Sequence, residues 1–520
     1  MGRAMLTPMA YDALYAGFRW EIPARLNMAA QVCDDWAGAE PERAAIRDLA
    51  YGVVSYGALR GMADVLARAL VAQGVQRGDR VGVLRSQSAW TAAAHIAIWK
   101  LGAVSIPLFK LFGADALRIR LDDAGAKLVI GDGAPHDGLA TWGGDVIVPE
   151  DLPPDDTPFD TAETGPEDPA VLIYTSGTTG APKGALHGHR MLTGHLPGVE
   201  MSHDFLGAKG DCIWTPADWA WIGGLFDVAM PGLALGVPVV AARMDKFSAA
   251  ECNRIIQDAG VRNVFFPPTA LRMLKAEGAY VSGLRSVASG GEPLGAEMLA
   301  WGRAALGVTI NEFYGQTECN MVASSCGALF DARPGCIGKP VPGFEIAVLG
   351  PDGVPLADGE GDVAIKRGAA SMMLEYWNNP QATADKFRGD WMLTGDRGLW
   401  EGDYLRFMGR EDDVITSAGY RIGPSEIEDC LLTHPAVATV GVVGKPDSLR
   451  TEIVKAYVVL KPDAAPSDAL AAALTDYVKQ RVAKHSYPRE IAFIDALPMT
   501  VTGKVIRKEL KVRAAAEVTG

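Results

Sequence analysis

At 520 residues, 48% of them hydrophobic and 22% charged, the chain is long enough for more than one domain and too apolar to be a disordered polypeptide. Its formal charge of −14 gives no general basic face, which argues against nucleic acid or anionic lipid as partners and leaves any anionic substrate to a local cluster of cations. Seven cysteines without a CxxC pair, an N-terminus unlike a leader and the lack of any apolar run of membrane length predict a cytoplasmic protein with reduced thiols and no membrane span.

From Tyr56 onward, amphipathic helix-like segments alternate with short apolar strand-like ones: "YGALRGMADVLARALVAQG", "RVGVL", "WTAAAHIAIWKLG", "AVSIPL". This predicts an α/β fold, a large N-terminal domain of βαβ units around largely parallel sheets. Residues 151–169 form an acidic, proline-rich connector within it. The apolar run "AVLI" then leads straight into "YTSGTTGAPKG", residues 174–184. A strand ending in glycines and hydroxyls can present backbone N–H and O–H groups to phosphate oxygens. Thr175, Ser176, Thr178 and Thr179 supply hydroxyls, Gly177 and Gly180 allow close approach, and Lys183 adds a point charge. The spacing is not that of a Walker A loop, since Pro182 stands where its second glycine would.

Farther on, "IIQDAGVRNVFFPPTALRMLKAEG" repeats the helix–strand–helix theme, and "SGGEP" (289–293) with "NEFYGQTE" (311–318) combines glycine backbone, the Tyr314 ring and the Glu318 carboxylate. After about residue 340, short strands and turns predict a β-rich subdomain in which "FEIAVLGPDGVPLADGEGDVAIK" is a hairpin around "PDG". Beyond "MGREDD" follows a compact α+β segment: "PSEIEDCLLTHP" reads as a helix capped at Pro424, Ser425 and Glu428, and "TEIVKAYVVL" as a strand. The expected division is a large domain over 1–411 and a small, mobile C-terminal domain over 412–520.

These blocks, together with "TGD" (394–396), "GREDDVITSAGYRIGPSEIE" (409–428) and "LPMTVTGKVIRKEL" (497–510), resemble in order the adenylate-forming superfamily of acyl-CoA synthetases, peptide-synthetase adenylation domains and firefly luciferase. The resemblance covers nearly the whole chain and is nearest to medium-chain acyl-CoA synthetases. It implies that a carboxylate attacks the α-phosphate of ATP to give acyl-AMP and pyrophosphate, after which the thiol of CoA expels AMP. In that scheme 175–180 with Lys183 is the phosphate loop. Gly291, Glu292, Pro293, Glu312, Phe313, Gly315, Gln316 and Arg421 surround the nucleotide, and Tyr314 flanks adenine. Thr317 touches the α-phosphate, Glu318 holds Mg²⁺, and Asp396 and Arg410 contact the ribose. Lys504 binds the carboxylate and α-phosphate oxygens during the first step. Asp412 is the hinge, Ala418, Gly419 and Tyr420 line the pantetheine tunnel, and Arg450 and His485 contact CoA.

For the acid, the resemblance puts Trp219, Trp221, Gly223, Gly224 and Phe266 near the acyl pocket and Gly315 where acetate-activating relatives carry a tryptophan, so that the pocket reaches further. The expected substrate is a short-to-medium, branched or aromatic monocarboxylic acid. The rival readings are transfer of the acyl group to a carrier-protein thiol and a non-catalytic nucleotide or acyl-CoA sensor. A homo-oligomer is compatible with the sequence.

Overall fold

The computed structural model describes residues 4–175, 182–244, 246–291, 294–410, 413, 415–417, 420–447, 450–482, 487–500 and 504–517. Its N-terminal part is built on two large sheets. The seven-stranded one has a parallel centre: Arg80–Leu84 lies between Val104–Pro107 and Leu128–Gly131, and Pro169–Thr175 runs parallel to Val104–Pro107 on the far side. The fourteen-stranded one has parallel strands Ile213–Trp214, Asn263–Phe265, Ser286–Gly290 and Ile310–Gln316 in adjacent positions.

Helices follow the strands as the alternation predicted, with serine N-caps at Ser55, Ser88 and Ser248, each accepting a backbone N–H from the first turn. One helix departs from the amphipathic expectation. Eleven of the twelve residues of Ala89–Lys100 are buried, because the helix is apolar all round and lies in the core shared by both sheets. Its terminal Lys100 ammonium is buried against Asp34 (2.7 Å) and Asp64 (2.9 Å), the pairing that a buried charge requires.

The β-rich part is no separate sheet. Asn320–Ser324 pairs antiparallel with both Ile310–Gln316 and Cys336–Pro340, so the later antiparallel strands extend the fourteen-stranded sheet. The expected hairpin exists between Ile346–Leu349 and Gly361–Lys366, with "PDG" making a tight turn well before the second strand begins.

The small C-terminal domain holds a five-stranded sheet dominated by the antiparallel pair Val437–Asp447 and Thr451–Leu460. Helices Pro424–Leu432, Asp468–Arg481 and Arg507–Ala516 pack on it. The first begins with Pro424 at N1, as expected, and Gly423 as N-cap, while the Ser425 side chain lies outside the described residues. Glu428 accepts the Val442 N–H (2.8 Å) and pairs with Arg507 (2.6 Å), tying two helices to the sheet. Among the described residues no helix is long and apolar enough to cross a membrane.

Candidate active site

A cavity of about 1040 Å³ opens where the two large sheets and the small domain meet. Each part of its wall follows from local chain geometry. Strand Pro169–Thr175 delivers Tyr174 and Thr175, and antiparallel Lys183–Gly188 returns with Lys183 directly opposite Thr175. Of the phosphate loop itself, Ser176, Gly177, Thr178, Thr179 and Gly180 lie outside the described residues, as do Glu292, Pro293, Asp412, Ala418, Gly419 and His485 and the side chains of Tyr420 and Arg421.

The parallel strand Ile310–Gln316 brings Glu312, Phe313, Tyr314, Gly315 and Gln316 to the cavity, and the turn after it adds Thr317 and Glu318. Strands Trp391–Glu401 and Tyr404–Arg410 set Asp396 opposite Arg410 in register. The Arg410 guanidinium stands 3.6 Å from one Asp396 oxygen, while the other accepts the Tyr314 hydroxyl and the Gln316 amide (3.0 Å). Burial pushes the Asp396 pKa up against these partners. Burial likewise raises Glu312 to about 8, its Oε1 accepting the Leu294 N–H at 3.3 Å.

Two residues of this cluster were not singled out from the sequence. The buried Tyr376 hydroxyl donates to Glu318. The Lys386 ammonium donates to the Gln316 side-chain oxygen (3.1 Å) and lies 4.0 Å from Glu318. Glu318 is thus a nearly buried carboxylate fixed at the edge of the cavity, which suits Mg²⁺, an ion that takes one or two protein carboxylates and shares its other positions with phosphate and water.

Lys504 comes from the small domain. Its backbone is pinned in a short turn, the Thr500 N–H donating to the Lys504 carbonyl (2.7 Å) and the Lys504 N–H to the Thr500 hydroxyl (3.0 Å). The side chain reaches the cavity at Gly291, whose φ is +99°: a Cβ there would meet Lys504 Cε at 3.5 Å and the Trp221 ring at 3.8 Å. Lys504, Gly291 and Trp221 therefore converge at one point. Trp221 is backed by Phe265 (5.8 Å between ring centroids), and Phe265 by Phe313 (5.3 Å).

The rest of the expected acyl pocket is corrected by the structure. Trp219 is 1% exposed and lies in the core away from the cavity lining. Phe266 is fully buried in a different core cluster, edge-on to Trp214. Gly223 and Gly224 serve close packing of their own chain: a Cβ would fall 2.5 Å from the Trp221 ring and 2.3 Å from the Asp218 carbonyl oxygen, respectively. Gly315 does line the cavity, but its Cβ direction points away from it, 1.7 Å from the Asn320 carbonyl oxygen. The strand pairing slips at this point, and Asn320 has φ +50°. The hairpin therefore accounts for glycine at 315, rather than space left for an acyl chain in the direction its side chain would take. Arg450 is in the tight turn between Val437–Asp447 and Thr451–Leu460, its N–H donating to Asp447 (2.8 Å), outside the cavity lining; the pairing of Ser417 with Thr451 puts that turn beside the strand leading to residues 418–420.

Residues 33–377 match the family model of the AMP-binding enzyme and residues 426–504 that of the AMP-binding enzyme C-terminal domain. The chain is 35% identical over 465 residues to acetyl-coenzyme A synthetase of Bacillus subtilis (strain 168), covering 84% of this chain and 81% of the relative. It is 31% identical to the mitochondrial acyl-coenzyme A synthetase ACSM3 of Mus musculus, covering 96% and 93%. A solved anthranilate CoA ligase, AuaEII, in complex with anthranoyl-AMP superposes with a TM-score of 0.86 at 27% identity over 96% of this chain and 99% of that one. With both family models matched in chain order, and Lys504 of the second part reaching the cavity built by the first, the chain belongs to the AMP-binding enzymes as an AMP-forming acid–CoA ligase of the acyl-CoA synthetase group.

Proposed function

We propose that this ligase activates a short-to-medium, branched or aromatic monocarboxylic acid, using ATP with Mg²⁺ in the first half-reaction and CoA as the thiol of the second. The observation that carries the acid class is the wall beside Lys504. Trp221, backed by Phe265 and Phe313, is flat and apolar, and such a surface favours a planar or branched acyl group over one carrying a charged α-ammonium. The anthranoyl-AMP of the AuaEII structure, an aromatic acyl adenylate, supports the same choice.

In this reading the acid lies in the cavity against the Trp221 wall, its carboxylate beside Lys504 and facing the α-phosphate. Lys504 sits at that point as a fixed cation where negative charge gathers, and Thr317 touches the α-phosphate. Tyr314 flanks the adenine, and Asp396 with Arg410 takes the ribose. Glu318, held by Tyr376 and Lys386, would bind Mg²⁺, which neutralises phosphate charge when bound. No protein base is needed, because a carboxylate is already the nucleophile. The small domain, 412–520, then turns about Asp412, withdrawing Lys504 and bringing residues 418–420, with Arg450 and His485, to CoA. The cysteines, all unpaired, suit a reducing cytoplasm.

The test is pyrophosphate release with a panel of carboxylic acids, with and without CoA. Release that depends on small branched or aromatic acids, and acyl-CoA formed only when CoA is added, is the expected result. Adenylation followed by transfer only to a carrier-protein thiol, or nucleotide binding without any turnover, would replace this reading with one of its rivals.

A further inference from the structure

Helix Ala114–Ala124 carries two arginines with opposite surroundings. Arg118 is half-exposed and paired along the helix with Asp115 (3.8 Å) and Asp122 (3.0 Å). Arg120 is 8% exposed and has no carboxylate partner among the described residues. Its Nη1 donates to the Ala116 carbonyl (2.6 Å), its guanidinium carbon lies 4.1 Å from the Phe112 ring centroid, and its Nε is buried without an acceptor. Asp123, which could have neutralised it, takes the Tyr174 hydroxyl instead (2.6 Å). A buried guanidinium does not shed its proton, and taking it out of water without a counter-ion is costly. Arg120 lines the same cavity as Tyr174, Thr175 and Lys183, and the Asp123–Tyr174 hydrogen bond ties its helix to the strand that carries Tyr174 and Thr175. Every other observation about it is a way of holding it still: the Phe112 ring sets its plane and the Ala116 carbonyl one corner of its fork.

We propose that Arg120 is an anion-binding residue of the ATP site, its guanidinium taking the β- and γ-phosphate oxygens of ATP and then the pyrophosphate that leaves. The inference rests on the ligase reading above. As the acid's oxygen bonds to the α-phosphorus, the bond from that phosphorus to the bridging oxygen breaks and its electron pair stays with pyrophosphate. A fork of N–H donors fixed in the cavity that Thr175 and Lys183 also line meets that charge without reorganising.

The experiment compares Arg120→Met and Arg120→Lys with the wild-type full chain by calorimetric titration with pyrophosphate and with AMP, and by the KM for ATP. Loss of charge-assisted hydrogen bonds predicts pyrophosphate and ATP binding weakened about 10- to 100-fold in Arg120→Met, partly restored in Arg120→Lys, with AMP affinity unchanged. Unchanged pyrophosphate affinity in Arg120→Met overturns the proposal. A wild-type preference for dicarboxylic acids that Arg120→Met abolishes, with pyrophosphate binding intact, overturns it in favour of a second substrate carboxylate. Wild-type protein that binds neither ATP nor pyrophosphate would sink the ligase reading itself, whereas differences between variants bear on Arg120 alone. Should Arg120→Met fail to fold, phenylglyoxal labelling of the wild-type chain decides: protection of Arg120 by pyrophosphate but not by AMP is expected, and equal labelling in both overturns the assignment.

Discussion

Gly315→Ala is the smallest change that probes the hairpin carrying Thr317 and Glu318. The added Cβ would lie 1.7 Å from the Asn320 carbonyl oxygen, 2.2 Å from its carbon and 2.8 Å from the Met321 nitrogen. Uncrowded contacts of this kind need about 3.5 Å, so the two backbones must part by more than roughly 1 Å. Overpacking of that sort costs about 1–3 kcal/mol, and a displacement of about 1 Å in groups that position a reaction costs on the order of 100-fold in rate. We expect Gly315→Ala to lose about 1–3 °C in melting temperature and to release pyrophosphate about ten- to a hundredfold more slowly with every acid. Gly315→Trp should be worse in the same way, without any turn toward acetate, because the side chain starts from the wrong face of the strand. Thermal unfolding and pyrophosphate release over an acid chain-length series read both effects. Gly315→Ala with wild-type turnover and melting, or Gly315→Trp that selects acetate, would refute the reasoning.

Tyr376→Phe removes the hydroxyl that holds Glu318 and should raise the Mg²⁺ concentration for half-maximal activity by about tenfold, the worth of one hydrogen bond to a charged group; an unchanged Mg²⁺ titration would exclude Glu318 as the ligand. Trp221→Ala should lower kcat/KM for aromatic acids by about 30-fold, from about 2 kcal/mol of lost contact, and leave acetate nearly untouched; equal losses across the panel would remove Trp221 from the acyl wall. Glu200 accepts the Met5 (2.8 Å) and Leu6 (2.7 Å) N–H groups, and burial pushes its pKa up from 4.5 to about 8. Folded protein then holds a proton that the unfolded chain releases, so stability present below about pH 4.5 is lost as pH rises through about 8, and melting temperature should fall from pH 6 to 9, less steeply in Glu200→Gln; parallel slopes would mean that the carboxylate is ionised in the folded state.

The alternation of helix and strand was legible because each period is written locally. The buried central helix Ala89–Lys100 was misjudged because its sequence says only that it is apolar, and being sandwiched between two sheets is a property of distant chain. The acyl wall shows the same limit more sharply. Phe265 and Phe266 are adjacent aromatics at the end of a strand buried on both faces, so no polar neighbour marks which of them backs the cavity, and the structure gives that role to Phe265. Gly315 was visible as a glycine but its reason was not, since the clash that forbids a side chain is with Asn320 across a hairpin whose register slips. Tyr376 reaches Glu318 across 58 residues and through the pairing of Tyr376 with Ala185; nothing in the "LEYWNN" segment announces it. Lys386 had a faint signal, a cation just ahead of the "TGD" block, where strand Trp391–Glu401 folds back beside it.

The assignment of Lys504 to the first half-reaction alone makes the strongest demand on the enzyme. Its side chain stands at Gly291 beside Trp221, yet its backbone belongs to a turn of the small domain closed by Thr500. Tyr314, Asp396, Arg410 and Lys183 are all carried by the large domain, so nucleotide binding should survive the loss of Lys504. A preorganised cation facing developing negative charge contributes on the order of 3–4 kcal/mol to the transition state, and Lys504→Ala should therefore slow adenylation by roughly a hundred- to a thousandfold with AMP affinity unchanged. If the small domain turns between steps, the lysine is elsewhere when CoA attacks, and the variant supplied with preformed acyl-AMP and CoA should release AMP at a near-normal rate. A comparable collapse of that step would show that Lys504 acts in both arrangements, or that its turn at Thr500 holds the small domain together. Melting temperature separates these two outcomes, since only the second lowers it.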